Sequence, residues 1–229
     1  MNRQLALAIQ LNDEATLTDF CWEGNPLLQQ HITAIMQSHN ERFLFLWGTE
    51  GSGKSHLLQA CCHASKSHAA IYLPLNLLKE WGPQVLDGLE EQKLICIDDV
   101  DAIAKDRAWE EALFHLYNRV RDNESAVLIM SGKHSPAHTP ISLPDLRSRL
   151  SWGLALQLHE LSDDNKINTL IARAQKRGFD LPTNVGQFLL NRCARNMHDL
   201  LTLLDRLDEA SLIAQRKITI PFVKNILGV

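Results

Sequence analysis

Gly48-Thr49-Glu50-Gly51-Ser52-Gly53-Lys54-Ser55 has the G-x-x-x-x-G-K-[ST] spacing of a phosphate-binding loop. Glycines at 51 and 53 let the backbone turn its N–H groups inward without a Cβ clash. Inward N–H groups at a helix start hold phosphate oxygens. Lys54 would reach the outer phosphates, the Ser55 hydroxyl would ligate Mg²⁺, and His56 follows as a further candidate contact. A second reactive pair, Asp98-Asp99, closes the apolar run Leu94-Ile95-Cys96-Ile97. Carboxylates at the C-terminal end of a buried parallel strand stand where ligands bind in open α/β sheets. Asp98 is expected to steady Mg²⁺, and Asp99 to orient or activate an attacking water. Together the two stretches predict binding of a nucleoside di- or triphosphate.

These groups need a strand before the loop, a helix after it and further parallel strands beside it. Arg42–Trp47 is apolar and aromatic and ends at Gly48, and His56–Ala64 reads as a helix. Further strands are expected at Ala69–Leu73, Leu94–Asp98, Ala126–Ser131 and Leu154–Leu158. Pro26 opens a helix whose face is Leu27, Leu28, Ile32, Ile35 and Met36. Short helical pieces fall near Leu75–Trp81 and Val85–Glu91. Asp106–Asp122 is an amphipathic helix, with Trp109, Leu113, Leu116, Tyr117 and Val120 on one face. Leu143–Leu150 is a short helix carrying Arg147 and Arg149. After Ser162-Asp163-Asp164, a good helix N-cap, the pattern is helical: Asp163–Arg177, Thr183–Arg195, Met197–Gln215 and a last piece from Pro221, with one brief strand-like run at Ile218–Ile220. The expectation is an α/β domain over 16–160 and a helical lid over 161–229. Residues 1–15 are expected to be a terminal peptide and linker, whose stretch up to about Ile9 reads as an edge strand, an extended peptide that docks on a partner, or a half-ordered terminus with incidental leucines.

The net charge of −4 argues against a dedicated DNA-binding surface. No apolar run approaches a membrane span, and the N-terminus is a poor signal peptide. The five cysteines include no C-x-x-C and read as core residues of a reducing compartment, so a cytoplasmic protein is expected.

A phosphate loop, a strand ending in Asp-Asp, a polar strand tip, an arginine-bearing helix and a helical lid occur here in that order. In this the chain resembles the AAA+ family, and within it the initiator subgroup typified by DnaA. The resemblance rests on Phe43–Gly48, Gly53–Leu58, Ile97-Asp98-Asp99, Ser148-Arg149-Leu150-Ser151-Trp152-Gly153 and Ile218–Val223. It implies an AAA+ P-loop NTPase with a five-stranded parallel sheet and a helical lid, binding ADP or ATP with Mg²⁺. It covers about Leu17 to the C-terminus and includes neither the initiator's helicase-recruiting domain nor its helix-turn-helix domain. The expectation is a short regulatory homologue with no sequence-specific DNA binding of its own. Such homologues drive hydrolysis of DnaA-bound ATP while tethered to the DNA-loaded sliding clamp, the beta subunit of DNA polymerase III.

The resemblance assigns Arg149 as an arginine finger supplied in trans, with Arg147 as the spare residue, and places the nucleotide base near Phe20–Trp22. It reads Gln4-Leu5-Ala6-Leu7-Ala8-Ile9 as a Q-L-x-L-x-L clamp-binding peptide, in which Gln4, Leu5, Leu7 and Ile9 make the contacts. Two departures stand out. Gly132 takes the place of the acid that usually follows the small polar residue at the fourth strand tip, leaving Ser131 to cover part of that role. His198 replaces a lid arginine, and an imidazole holds a γ-phosphate less firmly than a permanent guanidinium. The chain is therefore expected to be at most a weak ATPase and mainly an activator of DnaA. The alternative is a DnaA-related adaptor that recruits another protein to DNA; self-association stays open in both readings.

Overall fold

The structure is a computed structural model that describes residues 11–38, 41–65 and 69–228. The segment expected to bind the clamp, Gln4 to Ile9, lies outside the described residues, so the choice between edge strand and docking peptide does too. The chain divides into two units, Met1–His159 and Glu160–Val229.

Five parallel strands form the sheet of the first unit: β1 (Phe43–Trp47), β2 (Ala70–Pro74), β3 (Leu94–Asp98), β4 (Val127–Gly132) and β5 (Leu154–Gln157), in the order β2-β3-β4-β1-β5. Every residue of β3 and β4 is buried, as continuous apolar runs in a sheet covered on both faces require. Successive side chains alternate between faces. Leu44 and Leu46 join α1 (Pro26–Ser38) and α2 (Lys54–Ala64) in one core, together with Cys61, Cys62 and Cys96. Phe45 joins the opposite core, built on α4 (Arg107–Asp122) and α5 (Pro144–Leu150). The face read from the sequence of α4 (Trp109, Leu113, Leu116, Tyr117 and Val120) is buried there, and Asp106 caps the helix by accepting the Trp109 N–H at 3.4 Å. The piece expected at Leu75–Trp81 is α3 (Leu75–Leu78) running into a 3-10 turn, and Val85–Glu91 is two 3-10 turns.

The second unit consists of α6 (Asp163–Lys176), α7 (Thr183–Arg192), α8 (Met197–Ala214) and α9 (Ile220–Leu227) around Leu170, Leu189, Leu200, Leu204 and Val223. Lys166 is buried there, its ammonium shared between the Glu160 carboxylate and the Arg195 carbonyl. The strand-like run Ile218–Ile220 is not a strand. Thr219 is the N-cap of α9, its hydroxyl accepting the Phe222 N–H at 3.4 Å, while Ile218 is buried in the helical core. Capping and burial override the β-propensity of three branched residues. No helix of the described residues is long and apolar enough to cross a membrane.

Candidate nucleotide-binding site

β4 lies between β1 and β3, so its Ser131–Gly132 tip stands between the loop that follows β1 and the carboxylates that end β3. Gly48 donates its N–H to the Gly132 carbonyl at 3.3 Å, tying that loop to the tip. A Cβ at Gly48 would fall 2.5 Å from the Leu158 carbonyl oxygen, so only glycine fits where the loop leaves the sheet. Gly53 adopts φ 100°, a left-handed conformation that allows the loop to turn directly into α2.

Lys54 and Ser55 open α2. Lys54 is 6 % exposed, and its ammonium donates to the Gly48 and Thr49 carbonyls at 2.9 and 2.8 Å. Burial pushes its pKa down, while Asp99, Asp98 and Asp101 oppose that shift. A buried cation with only carbonyl acceptors would gain from an anion. Ser52 Oγ is buried in the same loop with no protein hydrogen-bond partner. Glu50 points outward, 3.6 Å from the Lys133 ammonium. Phe20 lies along the loop, 3.5 Å from the position a Gly53 Cβ would take, with its ring 5.9 Å from His56 and 4.6 Å from Trp22. Asn25 fixes this aromatic segment by exchanging hydrogen bonds with the His159 backbone.

Asp98 is 1 % exposed. One carboxylate oxygen accepts the Tyr72 hydroxyl at 2.7 Å, and the other accepts the Ser131 hydroxyl. Ser131 Oγ in turn accepts the Asp99 N–H at 3.0 Å. Each Asp98 oxygen keeps one lone pair, which suits steadying a metal-bound water. Among the described residues no cluster of three or more His, Cys, Asp or Glu is arranged to hold a metal. The Ser55 hydroxyl at the start of α2 and the Asp98 carboxylate at the end of β3 are oxygen donors of the kind Mg²⁺ takes.

Gly132 does not leave empty space. A Cβ there would meet Asp101 Oδ2 at 2.8 Å and Phe45 Cζ at 2.9 Å, and the same Asp101 oxygen accepts the Lys133 N–H at 2.6 Å. A carboxylate from the turn after β3 thus occupies the ground next to the β4 tip. Neither Asp101 nor Tyr72 was expected. Tyr72 sits in a strand that reads as merely apolar, and Asp101 in an unremarkable acidic turn.

Asp99 adopts φ 58°. Burial, then the Asp98 charge, hold its carboxyl above the ordinary carboxylate range, with Lys54 and Lys133 opposing. Between the ordinary value and that raised one, the folded chain keeps a proton that the unfolded chain has released. Stability therefore falls as pH rises through this window, and the penalty is complete once pH lies above the raised value. Asn tolerates the left-handed backbone. Asp99→Asn is expected to melt above the parent at pH 7, with the difference closing as pH drops below the usual Asp range; thermal melts across pH check it, and a lower melting point at pH 7 contradicts it.

Arg149 lies elsewhere. It ends α5, half-exposed, with its guanidinium carbon 4.2 Å from the centre of the Trp152 ring. β5 begins two residues after Trp152, and its Leu154 pairs with Leu44 near the start of β1. The phosphate loop leaves the other end of β1. At ~3.3 Å per strand residue, the two are roughly 15 Å apart along the sheet. α5 is held by Glu110 of α4, which is 1 % exposed. Its carboxylate accepts the N–H groups of Lys105 (2.7 Å), Ser142 (2.9 Å) and Leu143 (2.7 Å). His198, by contrast, belongs to the second unit, exposed in the first turn of α8.

A phosphate loop after β1, acidic residues at the end of β3, a polar β4 tip and a separate helical unit define an AAA+ P-loop protein. The profile described as the bacterial DnaA ATPase domain matches residues 83–157, and the profile of the Hda lid domain matches residues 163–227. Domain III of the Thermotoga maritima replication initiation protein DnaA superposes with TM-score 0.81 at 19 % identity, over 96 % of this chain and 98 % of that one. AMPPCP-bound DnaA from Aquifex aeolicus gives 0.71 at 21 %, over 86 % and 66 %. The Thermotoga maritima RuvB branch migration motor gives 0.70 at 16 %, over 96 % and 73 %. Over those two stretches the chain is related to the bacterial DnaA ATPase domain and to the Hda lid domain, and the likeness to the solved structures shows the AAA+ fold.

Proposed function

We propose that this chain binds ADP or ATP at Gly48–Ser55 and stimulates hydrolysis of the ATP held by DnaA, offering Arg149 in trans while docked on the DNA-loaded sliding clamp. The observation that carries the reading is the position of Arg149. Its helix leads into the start of β5, toward the end of the sheet opposite the chain's own phosphate loop, and the side chain is part-exposed, as a finger offered to another molecule's nucleotide would be. Phosphoryl transfer gathers charge on the γ-phosphoryl oxygens, and a guanidinium brought against them stabilises it.

The chain's own nucleotide is held by the loop N–H groups, Lys54 and the Ser52 hydroxyl, with Phe20 and Trp22 near the base. The DnaA in the AMPPCP-bound neighbour shares this fold, which supports the assignment. Ser55 and Asp98 would hold Mg²⁺, which when bound neutralises phosphate charge. Asp99 and Ser131 complete the polar wall. On this reading the chain carries His198 where the resemblance expects a lid arginine, turnover of its own nucleotide is slow, and it acts chiefly on its partner.

Clamp docking falls to Gln4, Leu5, Leu7 and Ile9. Leu5→Ala with Leu7→Ala removes two apolar anchors and is expected to weaken clamp binding about 10²-fold and to abolish clamp-dependent stimulation, leaving nucleotide binding intact. Unchanged clamp affinity, measured by surface plasmon resonance, contradicts the docking role.

A further inference from the structure

We propose that Trp152 is the positioning residue of Arg149: its ring holds the guanidinium at the exposed edge of the first unit, ready for a phosphoryl group on a partner protein. The inference rests on the reading above, in which Arg149 acts in trans.

Trp152 is 66 % exposed. A tryptophan left this open contributes little to the core, and its ring face stays available to a neighbouring side chain. Its backbone is firmly set. Leu146 and Leu150 bury the inner face of α5. Ser151 and Trp152 donate their N–H groups back to Ser148 and Arg149 at 3.1 and 3.0 Å, and Ser151 Oγ donates to the Arg147 carbonyl at 3.0 Å. Gly153 then presses against β1 so closely that a Cβ would fall 2.6 Å from Phe43. The indole therefore projects from a fixed point.

Arg149 is a long side chain that would otherwise sample many rotamers. Over the Trp152 ring, 4.2 Å away, the guanidinium gains a cation–π contact without surrendering its charge. A guanidinium stacked on a ring keeps its N–H edge for a phosphate. Among the described residues no carboxylate lies within ion-pair distance of Arg149, so the fork is not neutralised. An arginine that is charged, part-exposed and held in place fits an anionic group arriving from outside. Arrival in the right orientation is worth rate, because less freedom is lost at the moment of reaction.

The test titrates the full chain against DnaA carrying prebound labelled ATP, with clamp loaded on DNA, and reads both the maximal rate and the half-saturating concentration. Trp152→Ala and Trp152→Leu are expected to lower the maximal rate about three- to tenfold, and Trp152→Phe to restore most of it. Nucleotide affinity and melting temperature stay at the parent values. A structural role would instead lower the melting temperature of Trp152→Leu or move the half-saturating concentration alone, and either result overturns the proposal. So does a parent-like maximal rate for Trp152→Leu while Arg149→Ala is inactive. Full stimulation by Arg149→Ala sinks the in-trans reading itself, and the proposal with it.

Discussion

Arg149→Ala is expected to reduce stimulation of DnaA-bound ATP hydrolysis by about 10³-fold or more, the low end of what an arginine finger contributes. The loss should appear in the maximal rate. Binding of the chain's own nucleotide should stay at the parent level, because α5 ends roughly 15 Å along the sheet from the phosphate loop. Arg149→Lys keeps the charge but loses the planar fork and the stacked geometry, so it recovers only a small part of the rate. Arg147 is exposed on the same short helix, and Arg147→Ala serves as the matched control, with stimulation close to the parent. Equal losses at 147 and 149 would mean a diffuse electrostatic effect rather than a placed guanidinium.

Glu110→Ala is expected to destabilise the first unit by about 3–5 kcal/mol, among the largest effects of any single change here. The carboxylate is buried and accepts three backbone N–H groups from two loops. Removing it strands those donors, at about 1–3 kcal/mol each before relaxation. For a chain of this size the melting temperature should fall by about 10 °C. The segment leading into α5 also loses its tether, so stimulation of DnaA should fall even at temperatures where the unit remains folded. Glu110→Gln keeps an oxygen acceptor and should sit between. A melting curve for Glu110→Ala that matches the parent contradicts this role.

The loop and the paired carboxylates of the candidate site were legible because their pattern is local. Loop glycines, a lysine and a serine at fixed spacing, and two carboxylates after an apolar run, carry their meaning in neighbouring residues. The central strands were legible for a related reason: β3 and β4, buried throughout, are unbroken or nearly unbroken apolar runs, whereas the edge strand β5 is part-exposed along its length. Glu110 was not. On a helix rich in charge nothing marks one glutamate as buried, because its partners, Lys105, Ser142 and Leu143, come from loops whose approach only the folded chain defines. The same holds for Tyr72, whose hydroxyl meets Asp98 across two strands. Gly132 reads from sequence as a missing acid, whereas in space the Asp101 carboxylate stands beside it. At Ile218–Ile220 the residue types favoured a strand, and a single cap at Thr219 decided for a helix.

The central claim, that this chain acts on another protein's nucleotide, is tested most directly by single-turnover hydrolysis of labelled ATP prebound to DnaA, with clamp loaded on DNA and this chain added last. The account predicts rapid conversion to ADP that requires the chain, the clamp and Arg149 together. An unchanged hydrolysis rate, with this chain's clamp binding and nucleotide binding both intact, would contradict it and leave a DnaA-related adaptor as the reading to pursue.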